Sequence, residues 1–227
     1  MSPSGLIILD KDPGVSSARA VGAVKRLLPK GTKIGHAGTL DPFATGVLLL
    51  LVGKATKQCE RLMDQPKEYL ATVRLGATSA TDDTESPPEP VIGATPVARE
   101  RLELALTQFS GSIRQRPPAF SALKLQGRPA YELARRGEAV HLEERTVQVY
   151  RVELLEYQWP DARIRVECGR GTYIRAIARD LGQSLGVGGY LVELSRTRIG
   201  PFALADAVTL PRLRDEGVAA HLKPAAI

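Results

Sequence analysis

Gly35-His36-Ala37-Gly38-Thr39-Leu40-Asp41-Pro42-Phe43-Ala44-Thr45-Gly46, running straight into the apolar stretch Val47 to Val52, decides how this chain reads. The loop brackets one carboxylate, Asp41, with residues that control the backbone. Gly35, Gly38 and Gly46 open conformations closed to other residues, and Pro42 fixes the turn beside the acid. The run that follows is apolar at every position, as expected of a central strand covered on both faces. A lone charge held against a core is costly, so such an acid has a task or caps a turn, and the loop alone leaves both readings open.

Working outward, Leu6 to Leu9 reads as a strand, and Ser16 or Ser17 can cap a helix with the stripe Ala20, Val21, Val24, Leu27 and Leu28, closed near Pro29 and Gly31. Ala55 to Met63 has a helical stripe, Lys67 to Leu75 a β pattern, and Thr78 to Pro90 the composition of a polar, proline-rich loop. Thr95, with Pro96 behind it, is expected to cap a helix bearing Leu102, Ala105, Leu106 and Phe109. A short helix is expected over Pro129 to Arg136, a strand over Val147 to Leu154, and a half-buried strand where Ala162, Ile164, Val166 and Cys168 alternate with charged residues. A helix then carries Ile174, Ile177, Ala178 and Leu181, and Leu191 to Ile199 reads as a last core strand. Strands and helices at irregular intervals predict an α+β fold.

The 227 residues, 43% of them hydrophobic, suffice for a sizeable core in one domain or one and a half. Neither Leu6 to Leu9 nor Val47 to Val52 is long enough to cross a bilayer, and nothing resembles a signal peptide. Cys59 and Cys168 read as reduced thiols, and His36, His141 and His221 show no metal-ligand spacing. The expectation is a soluble, cytoplasmic chain without metal or cofactor. Its net charge of +6 favours a polyanionic partner. Between Arg114 and Arg145, seven basic residues face four acids, which is half of the excess. Composition is equally compatible there with a solvated helix face and with RNA contact.

The quoted loop, through Gly46-Val47 to Lys57, resembles the signature of the TruB family of tRNA pseudouridine synthases. Four further segments resemble the family in family order: Leu9 to Ser17, Lys67 to Gly76, Arg116 to Gly137, and Cys168 to Gly182. The resemblance implies the pseudouridine synthase fold, a mixed and largely antiparallel sheet flanked by helices. It treats residues 1–227 as one catalytic domain, with a thumb-like RNA-binding insertion at about residues 114–142. Arg114, Arg116, Lys124 and Arg128 are its candidate backbone contacts. The family's C-terminal PUA domain is expected to be absent.

The implied activity is isomerisation of uridine 55 in the T-loop of tRNA, by a monomer that uses no guide RNA. Asp41 matches the catalytic acid, acting at C1′ of the ribose through a covalent adduct or a glycal. Arg175 matches the arginine that pairs with that acid, keeping it ionised where water is excluded. Tyr69 and Tyr173 match aromatic groups against the target base, and Leu194 an apolar residue of the uracil pocket. His36 matches the histidine placed where the nucleotide leaves its stack. Asp83 matches an acidic loop position, with Asp82 beside it in competition. Departures are local: Lys11-Asp12-Pro13-Gly14 shifts a proline, Ala37 replaces a threonine, and Ser86 stands where glycine is common. The rival readings are an RNA-binding or tRNA-folding module with secondary or lost catalysis, and a synthase acting on another RNA.

Overall fold

The computed structural model describes residues 3–125 and 127–225. Gln126, inside the basic segment, and both ends of the 1–227 domain assignment lie outside the described residues. In chain order the elements are β1 (Gly5–Lys11), α1 (Ser17–Lys25), β2 (Ile34–His36), β3 (Thr45–Val52), α2 (Cys59–Met63), β4 (Lys67–Leu75), β5 (Ala77–Ser79) and β6 (Pro88–Pro90). There follow α3 (Arg99–Thr107), β7 (Gly111–Gln115), β8 (Lys124–Leu125), β9 (Arg128–Pro129), α4 (Ala130–Arg135), β10 (Arg145–Gln158) and β11 (Asp161–Cys168). The chain continues through α5 (Ile174–Ser184), β12 (Gly189–Ile199), β13 (Phe202–Ala203), β14 (Val208–Thr209) and α6 (Leu210–Glu216). The class is α+β, with a mixed, mostly antiparallel sheet.

The chain divides into two compact units, Met1–Tyr69 with Leu194–Ile227, and Leu70–Glu193. Strands β4 and β12 each carry residues of both. In the first unit β1 lies between β14, parallel to it, and β3, antiparallel to it. β12 joins the other edge of β3 in parallel, with Ser195 opposite Thr45 and Arg196 opposite Gly46. This strand order makes β1 and β3 interior, which explains their apolar composition. Ile7, Leu9, Leu48, Leu50 and Val52 pack on one face against Ala20 and Val24 of α1 and Leu213 of α6. Leu6, Ile8, Val47, Leu49 and Leu51 pack on the other against Ala55, Leu62 and Ile199. Each fully buried leucine or isoleucine contributes about 1.5–3 kcal/mol. Ser16 caps α1 through its side chain, which accepts from the Arg19 amide.

In the second unit the order is β4, β11, β10, β7, with β10 antiparallel to both of its neighbours. Ala162, Ile164, Val166 and Cys168 are the buried positions of β11, as the alternation predicts. Two expectations are corrected here. Thr78 to Pro90 is not all loop, because β5 and β6 form a hairpin with Ala77 opposite Pro90 and Ser79 opposite Pro88. Both prolines sit on the exposed strand of this two-stranded ribbon, where a missing N–H is tolerated. Helix α3 begins at Arg99 with Ala98 at its N-cap, three residues after the expected Pro96. The Tyr157 hydroxyl donates to the Val97 carbonyl at 2.6 Å and holds the buried Val97 in the approach to the helix. Among the described residues no helix is long and apolar enough to cross a membrane.

Candidate active site

The Asp41 loop joins β2 to β3, which are themselves paired with His36 opposite Leu50. Its two ends therefore emerge from a fixed ladder, and the Ala37 amide extends it by donating to the Leu49 carbonyl at 2.9 Å. Inside the loop almost every residue next to Asp41 is tied down from elsewhere in the first unit. The Ser17 hydroxyl both accepts from the Leu40 amide and donates to its carbonyl, each at 2.9 Å. The Pro42 carbonyl accepts from the Gly14 amide at 2.8 Å and from Lys11 Nζ at 3.1 Å. Lys11 is buried, and its ammonium also donates to the carbonyls of Asp12 and Val15.

Arg196 completes the arrangement. Only 1% exposed, it donates from Nε to Val47, from Nη1 to Thr39 and from Nη2 to Gly38, always to a backbone carbonyl. Gly46 must be glycine, because its φ is +97° and a Cβ there would collide with the Arg196 backbone. A half-buried Asp41 is thus presented by a loop with little freedom to move. Sequence reasoning missed Lys11, Ser17 and Arg196 as parts of this device. Lysine and arginine are rarely fully buried, so nothing in their local sequence signals it.

His36, at the end of β2, is half-buried. Burial pushes its imidazole below the ordinary pKa, the backbone at Gly38 offsets part of that, and the Arg196 guanidinium adds to it. Tyr69 and Leu194 are both buried in the first unit, Tyr69 on the same face of β4 as Lys67. Lys67 anchors the strand's start by donating from Nζ to the Met63 and Gln65 carbonyls, each at 2.7 Å.

The remaining candidates lie in the second unit. Arg175 lies in the first turn of α5, whose buried positions include Ile174, Ala176, Ile177, Ala178 and Leu181. It is 3% exposed and ion-paired at 3.3 Å with Asp83, which is fully buried. Its Nη1 donates to the Thr81 carbonyl and its Nη2 to the Phe120 carbonyl, both at 2.9 Å. One Asp83 oxygen accepts from the Thr81 hydroxyl and from the Glu85 amide. Ser79 and Ser86 close the cage, with their hydroxyls 2.8 Å apart. Ser86 thus has a structural use here. The two neighbouring acids differ in partner: Asp83 pairs with Arg175, whereas Asp82, at φ 59°, pairs with Arg179 at 2.9 Å. Burial pushes the Asp82 carboxyl above the ordinary range, and the Arg179 and Arg175 charges oppose that.

Tyr173, at the N-cap of α5, is clamped by the buried Gln115, which accepts from its amide at 2.8 Å and donates to its carbonyl at 3.0 Å. The Arg145 guanidinium lies 5.1 Å from the centre of its ring and donates to the Gly171 carbonyl. Gln115 and Arg145 were not legible as supports of Tyr173, since they reach this segment from facing positions on β7 and β10. Of the cations in the basic segment, Arg114 lies in β7 and pairs with Glu144 at 3.1 Å, and Arg116 pairs with the same acid at 3.3 Å. Lys124 and Arg128 flank the short turn between β8 and β9, both exposed.

Comparison with known proteins supplies an independent line. The family described as TruB family pseudouridylate synthase (N terminal domain) matches residues 25–174, and the tRNA pseudouridylate synthase B C-terminal domain matches residues 175–224. The chain is 43% identical over 215 residues to tRNA pseudouridine synthase B of Francisella tularensis subsp. holarctica, covering 93% of this chain and 70% of that protein. It is 48% identical over 224 residues to tRNA pseudouridine synthase B of Stutzerimonas stutzeri, covering 96% of this chain and 72% of that one. Among solved structures, a chain of a Cbf5–Nop10–Gar1 complex superposes with a TM-score of 0.72 at 34% identity, covering 93% of this chain. This chain spans about half the length of that one, 54%. On these matches, together with the anchored Asp41 loop, the chain belongs to the TruB family of pseudouridylate synthases.

Proposed function

We propose that this chain converts uridine 55 in the T-loop of tRNA to pseudouridine, acting in the cytoplasm as a monomer without a guide RNA. The reaction breaks the N1–C1′ bond, turns the freed uracil and joins C5 to C1′. The C5 hydrogen leaves as a proton and N1 regains one, so no redox partner or group donor enters the balance. Asp41 supplies the carboxylate at C1′. Tyr69, Tyr173 and Leu194 receive the base, His36 supports the RNA where the nucleotide leaves its stack, and Arg175 with Asp83 sets the charge of the site. Residues 114–142 act as a thumb-like RNA contact within a single catalytic domain, with Arg114, Arg116, Lys124 and Arg128 against the backbone.

The observation that carries this reading is the loop around Asp41. Backbone bonds to Gly38, Thr39, Leu40 and Pro42 fix its position before any substrate arrives, which is what an acid at a reacting carbon requires. The test is tritium release from [5-³H]uridine-labelled T-arm RNA and full tRNA. Release by the parent chain, lost in Asp41→Ala and lost when the T-loop uridine is replaced, supports reaction and site together. Absence of release from either RNA, with binding retained, favours an RNA-binding module; release from a different uridine favours another target.

A further inference from the structure

We propose that a cationic groove at the C-terminal end of α1, in the unit that carries Asp41, is a second docking surface for the phosphate backbone of the RNA. The inference rests on the reading of RNA as the substrate and extends it to a region that the basic segment at residues 114–142 does not include. Between Asp12 and Asp41 the sequence holds Arg19, Lys25, Arg26, Lys30 and Lys33 and not a single acid. That is a denser positive stretch than the one from Arg114 to Arg145. All five side chains are exposed.

Their partners make the difference sharper. Among the described residues, none of these five cations takes part in an ion pair, whereas Arg114 and Arg116 both engage Glu144. Three of the five, Lys25, Lys30 and Lys33, line one open groove of about 690 Å³. Its walls also include His36, and no acidic side chain lines it. An adjoining hollow shares Lys25 and Lys30 and adds Arg26. Unpaired ammonium groups converging on a concavity repel one another unless an anion lies among them. A polyanion with regularly spaced phosphates meets that need, and shedding its counterions drives the contact. His36 on the wall connects the groove to the residue proposed to support the RNA at the target nucleotide. The backbone leading to that nucleotide would run over Lys33 and Lys30.

The test compares the 227-residue parent chain, the triple variant K25A/K30A/K33A, and a charge-matched control, R151A/R163A/R214A, whose cations are exposed and lie outside the groove. Each is titrated with T-arm RNA from low to moderate salt, and tritium release is followed over a range of RNA concentrations. For the groove variant the expected result is a Kd and KM raised about tenfold or more, and a salt slope (log K against log salt) shallower by about 2, since each neutralised phosphate contributes about 0.7–0.9. The control is expected to keep the parent's Kd and slope. Equal Kd and equal slope in parent and groove variant, with the parent active, overturn the groove assignment and leave the proposed function standing. Equal losses in groove variant and control overturn it too, since bulk charge then explains the effect. A parent chain that neither binds nor isomerises the RNA overturns both readings together.

Discussion

Two acid-bearing loops, one in each unit, are stiffened in opposite ways. Around Asp41 the ties go to the backbone: Ser17, Lys11 and Arg196 reach in from distant positions and hold the carbonyls of Gly38, Thr39, Leu40 and Pro42. Around Asp83 the carboxylate is itself the tie, taking a hydroxyl, an amide and a guanidinium into a fully buried cage. In the first arrangement groups from distant positions hold the backbone on both sides of the acid, which suits an acid that must react. The second consumes the acid in structure and presents a guanidinium in a set orientation. Substitution should separate the two loops by what is lost.

The largest effect is expected at Asp41. Asp41→Asn should lower kcat by about 10⁴-fold or more, as loss of an essential reacting group does elsewhere. Affinity for tRNA should be retained, measured by filter binding, and Tm should fall by less than in any Asp83 variant. Parallel loss of binding and turnover would contradict the contrast between the loops.

Asp83→Ala removes the carboxylate from a buried ion pair and should cost about 3–5 kcal/mol. In a chain of this size that corresponds to a Tm lower by roughly 6–20 °C in thermal unfolding. If Asp83→Ala melts with the parent, the carboxylate is not the structural tie described here.

Arg196→Met removes three donors from backbone carbonyls, of which that of Val47 is buried, and should cost about 1–3 kcal/mol. Its kcat should fall more than its KM rises, because the loop still exists but no longer holds Asp41. Arg196→Lys should restore part of the stability and little of kcat, since one ammonium cannot reach three carbonyls in a planar fork. A kcat equal to the parent's in Arg196→Met would show that the clamp is dispensable for positioning.

The smallest effect is a pH dependence at His36. Burial places its folded-state pKa below the ordinary 6.5, so the unfolded chain binds the proton more readily. The stability it contributes is complete above about pH 6.5 and is lost as pH falls from there through the folded-state pKa. The Tm gap between the parent and His36→Asn should therefore narrow between pH 7 and pH 5, read by calorimetry. A gap that widens on acidification would reverse the sign of the burial argument.

Much of the fold was legible because it follows from pattern. An apolar run with polar residues at neither parity, Val47 to Val52, can be satisfied only by cover on both faces, and it lies between β1 and β12 with every one of its side chains fully buried. Alternation located β11, and of the two candidate caps Ser16 and Ser17 it is Ser16 that caps α1. The errors share one cause, a hydrogen bond or strand pairing that composition does not display. Tyr157 holds Val97 and the helix behind it starts later than Thr95 suggests. Ser79 and Ser86 close what composition shows as a featureless proline-rich loop. The cationic stretches show the same limit, since counting charges favoured residues 114–145, where Glu144 occupies two arginines, over residues 19–33, where none is occupied.

What the amino-acid order decided without help is the class of fold and the family, because these depend on local spacing, burial pattern and motif. What the folded chain alone decided is which charges are put to structural use. Lys11, Ser17 and Arg196 lie as many as 158 residues from the carbonyls that they hold, and folding brings different partners to the neighbouring Asp82 and Asp83. A charged side chain carries no local mark of burial. Its role is set by which carbonyls and counter-charges the packed strands and helices bring within hydrogen-bond reach.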